Sequence, residues 1–200
     1  VIIMKKRERK KTDETLYALT HGAMKDCVKD IIGVQFRNMA TVGGSIWGRF
    51  GFSDVLTVFL ALDSYVELYK GGIIPLSQFV TMKRDKDILV RIIVKKTPIK
   101  VSYSSVRNQR TDFPVLTCAT SVIDGVYKVA IGARPKKAML VTDSDNILAS
   151  GVNETSISAF AEYVAKNIPT SSNLRGSSEY RTHLIKVLTE RNIKNMEGIS

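Results

Sequence analysis

The residues best suited to chemistry in this chain lie in Thr41-Val42-Gly43-Gly44-Ser45, with Ser53-Asp54 close behind. Two adjacent glycines sit between hydroxyl residues. Glycine has no Cβ, so the backbone there can turn sharply and come close to a bound group. Backbone N–H groups and hydroxyls gathered in this way suit an anion, most naturally a phosphate. A plain tight turn between two strands would use the same residues, because Gly-Gly marks turns generally. From the residues alone both readings stand.

No self-sufficient catalytic set accompanies this stretch. The only histidines are His21 and His183, and both read as surface or satisfied polar positions. No G-x-S-x-G elbow supports a Ser-His-Asp triad. Metal-ligand spacing, a Walker A loop and the G-x-G-x-x-G fingerprint are absent. The carboxylates do not cluster. If the chain takes part in catalysis, a cofactor must carry the chemistry.

The elements that would position the stretch follow from periodicity. Thr12-Asp13-Glu14 offers a helix cap, and Leu16, Leu19, Ala23, Cys27 and Val28 recur near helical spacing. Residues 14–31 therefore read as one helix, or as two short ones broken at Gly22. Ser53-Asp54 reads as the start of a strongly apolar helix through Leu62. Tyr65–Tyr69 alternates as a strand and stops at Gly71-Gly72; Ile88–Val94 is the clearest strand, rich in β-branched residues. A polar break at Lys95–Pro98 suggests two domains, 1–96 and 97–200. In the second, Lys100–Val106 reads as a strand. Asp124-Gly125 is a hairpin turn returning through Val126–Ile131, and Gly132–Lys137 is a basic loop. Glu154–Asn167 and Ser177 to about Arg191 are helical, with Ile157, Phe160 and Val164 on one inward face and Leu184, Ile185, Val187 and Leu188 on the other.

With 200 residues, 44% hydrophobic and 24% charged, the composition is that of a soluble globular chain able to bury a core. No apolar run reaches the ~18 residues needed for a membrane span. The net charge of +11 is partly the run Lys5–Lys11, which lacks interleaved aromatics and any nucleic-acid motif, so nucleic acid is not a favoured partner. The rest is diffuse and suits acidic partners or a dinucleotide's phosphates. Cys27 and Cys118 cannot form a metal cluster by themselves; they read as buried thiols in a reducing compartment, with the cytoplasm as the expected location. Val1-Ile2-Ile3-Met4 is too short for a signal-peptide core. A start at Val1 suggests an upstream segment.

Taken together, Arg37-Asn38-Met39-Ala40-Thr41-Val42-Gly43-Gly44-Ser45-Ile46, then Ser53-Asp54, then Leu60-Ala61-Leu62-Asp63 resemble the second flavin-binding motif of the FAD (medium) subunit of molybdenum hydroxylases, the xanthine dehydrogenase family. Asp87-Ile88-Leu89, Tyr103 to Arg107, Asp112-Phe113-Pro114 and Ser177-Ser178-Glu179-Tyr180-Arg181 are similar to further family segments in the same order, over about residues 14–195. The resemblance implies an α+β fold: the second half of a PCMH-type flavin domain, then a C-terminal domain of antiparallel sheet plus helices. It implies FAD as cofactor. Ala40, Thr41, Val42, Gly43, Gly44 and Ser45 would form the pyrophosphate loop, Ser53 and Asp54 its sequel, with Asp54 accepting from a cofactor hydroxyl, and Ile31 and Leu89 would make apolar contacts. It implies an oxidoreductase subunit that is not self-sufficient. Electrons would come from a molybdopterin-binding large subunit through an iron–sulfur small subunit to FAD, then go to NAD(P) or another acceptor.

Departures from the family pattern are informative. Ser45 stands where the family usually has Asn, and Ser104 or Ser105 where relatives often place a charged residue. Nothing in residues 1–30 matches the first flavin loop, roughly A-G-G-T-D, so half the expected pyrophosphate cradle is missing from this sequence. The four cysteines of the 4-hydroxybenzoyl-CoA reductase branch are absent too. An alternative is a truncated, non-catalytic interaction module of the same family without bound flavin.

Overall fold

A computed structural model describes residues 2–5 and 14–199. The cap candidate Thr12-Asp13 and the basic residues from Lys6 to Lys11 lie outside them. The architecture is α+β, with two four-stranded antiparallel sheets and one wholly buried helix between them.

The first sheet contains β1 (Ile2–Lys5), β2 (Ser64–Leu68), β3 (Gly72–Pro75) and β4 (Leu89–Val94), in the order β1-β4-β2-β3. β4 is central because its alternation buries Leu89, Ile92 and Val94. Its pairing with β2 slips between Glu67 and Leu68, so that Glu67 faces Arg91 while Leu68 faces Leu89. The slip leaves Val90 as an extra residue, and that bulge lets two positions three apart point to the same core. Helices α1 (Glu14–Leu19) and α2 (Ala23–Lys29) form the expected broken pair, and Gly22 between them has φ +91°, a conformation natural to glycine. α3 (Val34–Met39), α4 (Val42–Gly48), α5 (Asp54–Ala61) and α6 (Leu76–Thr81) complete this half.

Every residue of α5 is buried. A helix apolar on all sides must be enclosed on all sides, and α5 lies between β2 of the first sheet and β6 and β7 of the second. That second sheet is a meander of β5 (Ile99–Val106), β6 (Leu116–Ile123), β7 (Val126–Gly132) and β8 (Met139–Thr142). Asp124 and Gly125 both have positive φ, as a two-residue hairpin turn requires. One face of the meander contributes Val101, Ala119, Ile123 and Ala130 to the core around α5. The other packs Leu116, Cys118, Val129 and Ile131 against α7 (Glu154–Asn167) and α8 (Ser178–Glu197). α8 runs past the expected end near Arg191, because Asn192 and Ile193 are still buried. Val187 is only partly buried.

The α4–α5 turn and the β7–β8 loop meet backbone to backbone. Ala133 N–H donates to Gly51 O at 2.5 Å, and a Cβ built on Gly51 would stand 1.9 Å from Lys136 O. Because the obstacle is backbone, Gly51→Ala is expected to push the loop away and cost about 2 kcal/mol, in the range of overpacking defects. Thermal denaturation checks this; an unchanged midpoint would mean that the contact is slack.

Candidate functional site

The Thr41–Ser45 stretch is neither a turn between strands nor an open loop. It is the first turn of α4. Thr41 is the N-cap, in extended conformation, and its Oγ1 accepts from Gly44 N–H at 3.0 Å. Ser45 N–H and Ser45 Oγ both donate to Thr41 O, each at 3.2 Å. The first N–H groups of a helix have no partner within it, so with Gly44 capped by Thr41, those of Val42 and Gly43 are the ones left over. A Cβ on Gly44 would lie 3.0 Å from Thr41 Oγ1, so a side chain there crowds the cap. Ser53 caps α5 in the same way, accepting from Leu56 N–H at 3.2 Å.

These two helix starts open on one cavity of about 460 Å³. Ile31, Ala40, Thr41, Gly44, Ser45, Ser53 and Asp54 line it. Val42 and Gly43 are buried on the core side of α4 and lie outside the lining. Leu89, for which the resemblance implied contact with the cofactor, is 1% exposed in the core. The β-bulge turns it inward against Leu68, away from this cavity.

Part of the lining is aromatic, and sequence reasoning missed it. Phe36, Phe50, Phe52 and Phe113 line the cavity. Phe50 and Phe52 stack at 5.2 Å between centroids, and Phe113 meets Phe52 edge-on at 4.6 Å. All four are exposed. The alternating Phe50-Gly51-Phe52 just before Ser53 was the available signal, since alternation at a glycine puts both rings on one side of the chain.

Each carboxylate in the lining has an arginine. Arg110 pairs with Asp30 at 3.3 Å, Arg175 with Asp112 at 3.3 Å, and Arg107 with Asp54. Asp54 and Arg107 are both almost fully buried, and Tyr103 Oη also donates to Asp54. Burial raises the Asp54 carboxyl above the usual carboxylate value, and Arg107 and Tyr103 pull it back only in part. Tyr103 is pushed well up, first by burial and then by the neighbouring Asp54. Asp112 is held below the usual value by the Phe113 N–H, at 2.7 Å, and then by Arg175. Asp54 Oδ1 is thus already engaged from the C-terminal half of the chain.

His21 and His183 are exposed. Among the described residues no group of three or more His, Cys, Asp or Glu could hold a metal, and no helix is long and apolar enough to cross a membrane. The two cysteines are free and buried. Burial raises the Cys118 thiol to about 11, which makes it a poor nucleophile.

Comparison with known proteins decides the family. Residues 8–97 match the family model described as "FAD binding domain in molybdopterin dehydrogenase", and residues 101–196 match "CO dehydrogenase flavoprotein C-terminal domain". The chain belongs to the FAD-binding medium subunits of molybdenum hydroxylases. Among similar medium subunits is the glyceraldehyde dehydrogenase medium chain of Sulfolobus acidocaldarius, 28% identical over 197 residues, covering 86% of this chain and 67% of that one. The nicotine 6-hydroxylase medium subunit of Paenarthrobacter nicotinovorans is 26% identical, covering 80% and 61%. The uncharacterized protein YgfM of Escherichia coli is 25% identical, covering 84% and 62%. The chain therefore spans roughly three-fifths to two-thirds of these relatives' lengths. Carbon monoxide dehydrogenase from Hydrogenophaga pseudoflava superposes with a TM-score of 0.80 at 15% identity, over 98% of this chain and 73% of that one. The medium-subunit fold is thus kept where the sequence has diverged widely.

The residues present fit a flavin nucleotide. The cavity lining includes two helix starts and the hydroxyls of Thr41, Ser45 and Ser53, suited to a pyrophosphate. It also includes aromatic faces, suited to a ring system. The glycine at position 44 leaves open the space that a Cβ would fill.

Proposed function

We propose that this chain is the flavin-binding, electron-transferring part of a molybdenum-hydroxylase-type oxidoreductase complex. The observation that carries the reading is the convergence of the Thr41 and Ser53 helix starts on one cavity that is also lined by four phenylalanine rings. In this reading Ala40, Thr41, Gly44 and Ser45, with the spare N–H groups of Val42 and Gly43, hold the pyrophosphate of FAD. Ser53 and the Asp54 pair hold the neighbouring part, and Ile31 packs against the ring portion. FAD, when bound, supplies the redox chemistry; the chain binds it, orients it and excludes water with Phe36, Phe50, Phe52 and Phe113. Partners of the complex are a molybdopterin-binding large subunit and an iron–sulfur small subunit, and the acceptor is NAD(P) or another oxidant. The boundary near residue 97 separates the flavin-binding part from the C-terminal domain, whose Arg107, Asp112 and Phe113 contribute to the lining of the cavity.

Release of FAD on denaturing the purified complex tests the reading, and a protein free of flavin would support the non-catalytic alternative. Gly44→Asp introduces a Cβ against the Thr41 cap and a negative charge where a phosphate is held. It is expected to lower the flavin-to-protein ratio at least tenfold, which corresponds to ~1.4 kcal/mol or more. An unchanged flavin spectrum in that variant would remove the loop from the site.

A further inference from the structure

Phe50 lines the flavin cavity with half of its surface exposed, and ordering such a ring costs rotamer freedom that its neighbours have to offset. We propose that Arg84, which is absent from the cavity lining, is a positioning residue for the flavin site and acts through Phe50. The inference rests on the flavin reading and extends it to a segment, 82–88, that lies between α6 and β4.

Phe52 stacks on the Phe50 ring at 5.2 Å between centroids, with the planes 12° apart. Gly48 lies against the same ring: a Cβ built there would stand 2.8 Å from two ring carbons. The Arg84 guanidinium sits over the ring, 5.5 Å from its centroid, where a cation is attracted to an aromatic face. Arg84 Nη2 also donates to Gly48 O at 2.5 Å. One planar fork thus reaches both the ring and the backbone against which the ring rests. A lysine ammonium is a point charge and matches only one of the two.

Arg84 is itself exposed, but its segment is anchored at both ends. At the start, Arg49 is 5% exposed and its guanidinium lies over the Phe79 ring at 4.0 Å. Its Nη1 donates to Phe79 O at 3.3 Å, Met82 O at 2.9 Å and Lys83 O at 3.4 Å. At the far end, Asp87 Oδ1 accepts from Lys70 N–H and Asp87 Oδ2 from Gly71 N–H, each at 2.9 Å. Two arginines therefore link the α4–α5 turn and this segment in opposite directions: Arg49 reaches from the turn to the segment, and Arg84 from the segment back to the turn. Phe50 and Phe52 stand on that turn, so anchors outside the cavity carry into its lining. A ring fixed in advance spares part of the ordering cost of binding.

The measurement is the rate of flavin release from the purified complex on dilution, read by the fluorescence that flavin regains in water. Arg84→Ala is expected to release flavin about fivefold faster than the wild type, the factor that an exposed cation–ring contact supplies. Phe50→Ala should be at least as fast. The double variant should be no more than twofold faster than Phe50→Ala, because Arg84 acts through that ring. Arg84→Lys should fall between the wild type and Arg84→Ala. Lys86→Gln, which removes an exposed charge from the same segment, should stay within twofold of the wild type. The proposal is overturned if Arg84→Ala releases flavin at the wild-type rate, if the two single effects multiply in the double variant, or if Lys86→Gln is as fast as Arg84→Ala. A wild-type complex without flavin removes the flavin reading and this proposal together. A wild type that holds flavin, with Arg84→Ala unchanged, removes the proposal alone.

Discussion

Asp54→Ala is expected to destabilise the protein by about 4 kcal/mol, because it leaves the Arg107 guanidinium buried without its counter-charge. Arg107 and Asp54 have side chains 8% and 6% exposed, so water cannot substitute for the lost carboxylate. Tyr103, which donates to the same oxygen, loses its acceptor as well. For a chain of this size that loss corresponds to a fall in the melting midpoint of about 10 °C. Asp54→Asn keeps the shape and an acceptor oxygen but removes the charge, so it should fall between the wild type and Asp54→Ala. Thermal denaturation of the three proteins checks the ranking. If Asp54→Ala melted with the wild type, the pair would contribute nothing and the two halves of the chain would be held by apolar packing alone. Flavin content should fall in the same order, because Asp54 and Arg107 both line the cavity.

Arg181→Leu is the second large effect. Arg181 is fully buried, yet among the described residues no carboxylate pairs with it. Its Nε donates to Val115 O at 3.0 Å, its Nη1 to Ser171 O and Gly176 O at 2.6 Å each, and its Nη2 to Asn173 Oδ1 at 2.6 Å. One guanidinium thereby ties α8 to the segment after Phe113-Pro114 and to the 171–176 loop. Leucine leaves those oxygens unsatisfied, at roughly 1–3 kcal/mol for each one that stays buried. The expected net loss is about 4 kcal/mol, with faster hydrogen exchange and easier proteolysis at 171–176. Arg181→Lys supplies a point charge without the planar fork and should recover only part of the loss. Protection of the 171–176 loop unchanged in Arg181→Leu would show that the loop is held by other contacts.

These two arginines also show where the sequence stops being informative. Arg107 and Arg181 were visible in it as members of family-like segments, but a basic side chain reads as exposed by default. Burial became apparent only when the fold brought each an oxygen more than 50 residues away in the chain, Asp54 Oδ1 to Arg107 and Val115 O to Arg181. The Phe50, Phe52 and Phe113 wall has the same origin: the first two adjoin the Ser53 cap in sequence, but Phe113 reaches them only because β5 and β6 bring it there.

The sequence by itself determined a good deal. Local signals placed the Gly22 break, the Ser53 and Ser177 caps of α5 and α8, and the Asp124-Gly125 hairpin, because capping and turn chemistry depend on a few neighbouring residues. The ordered family segments gave the cofactor class. Tertiary structure decided the rest. Thr41-Val42-Gly43-Gly44-Ser45 looked like a loop because paired glycines disfavour helix; the Thr41 cap and the packing of Val42 and Ile46 in the core outweigh that cost. α6 went unread because it is six residues long and has no side-chain cap, whereas burial of Leu76, Phe79 and Val80 at helical spacing selects a helix. Leu89 was directed to the core by a bulge that no alternation pattern announces. Spacing along the chain fixes what a segment can do locally; which side chains share a cavity depends on how distant segments meet.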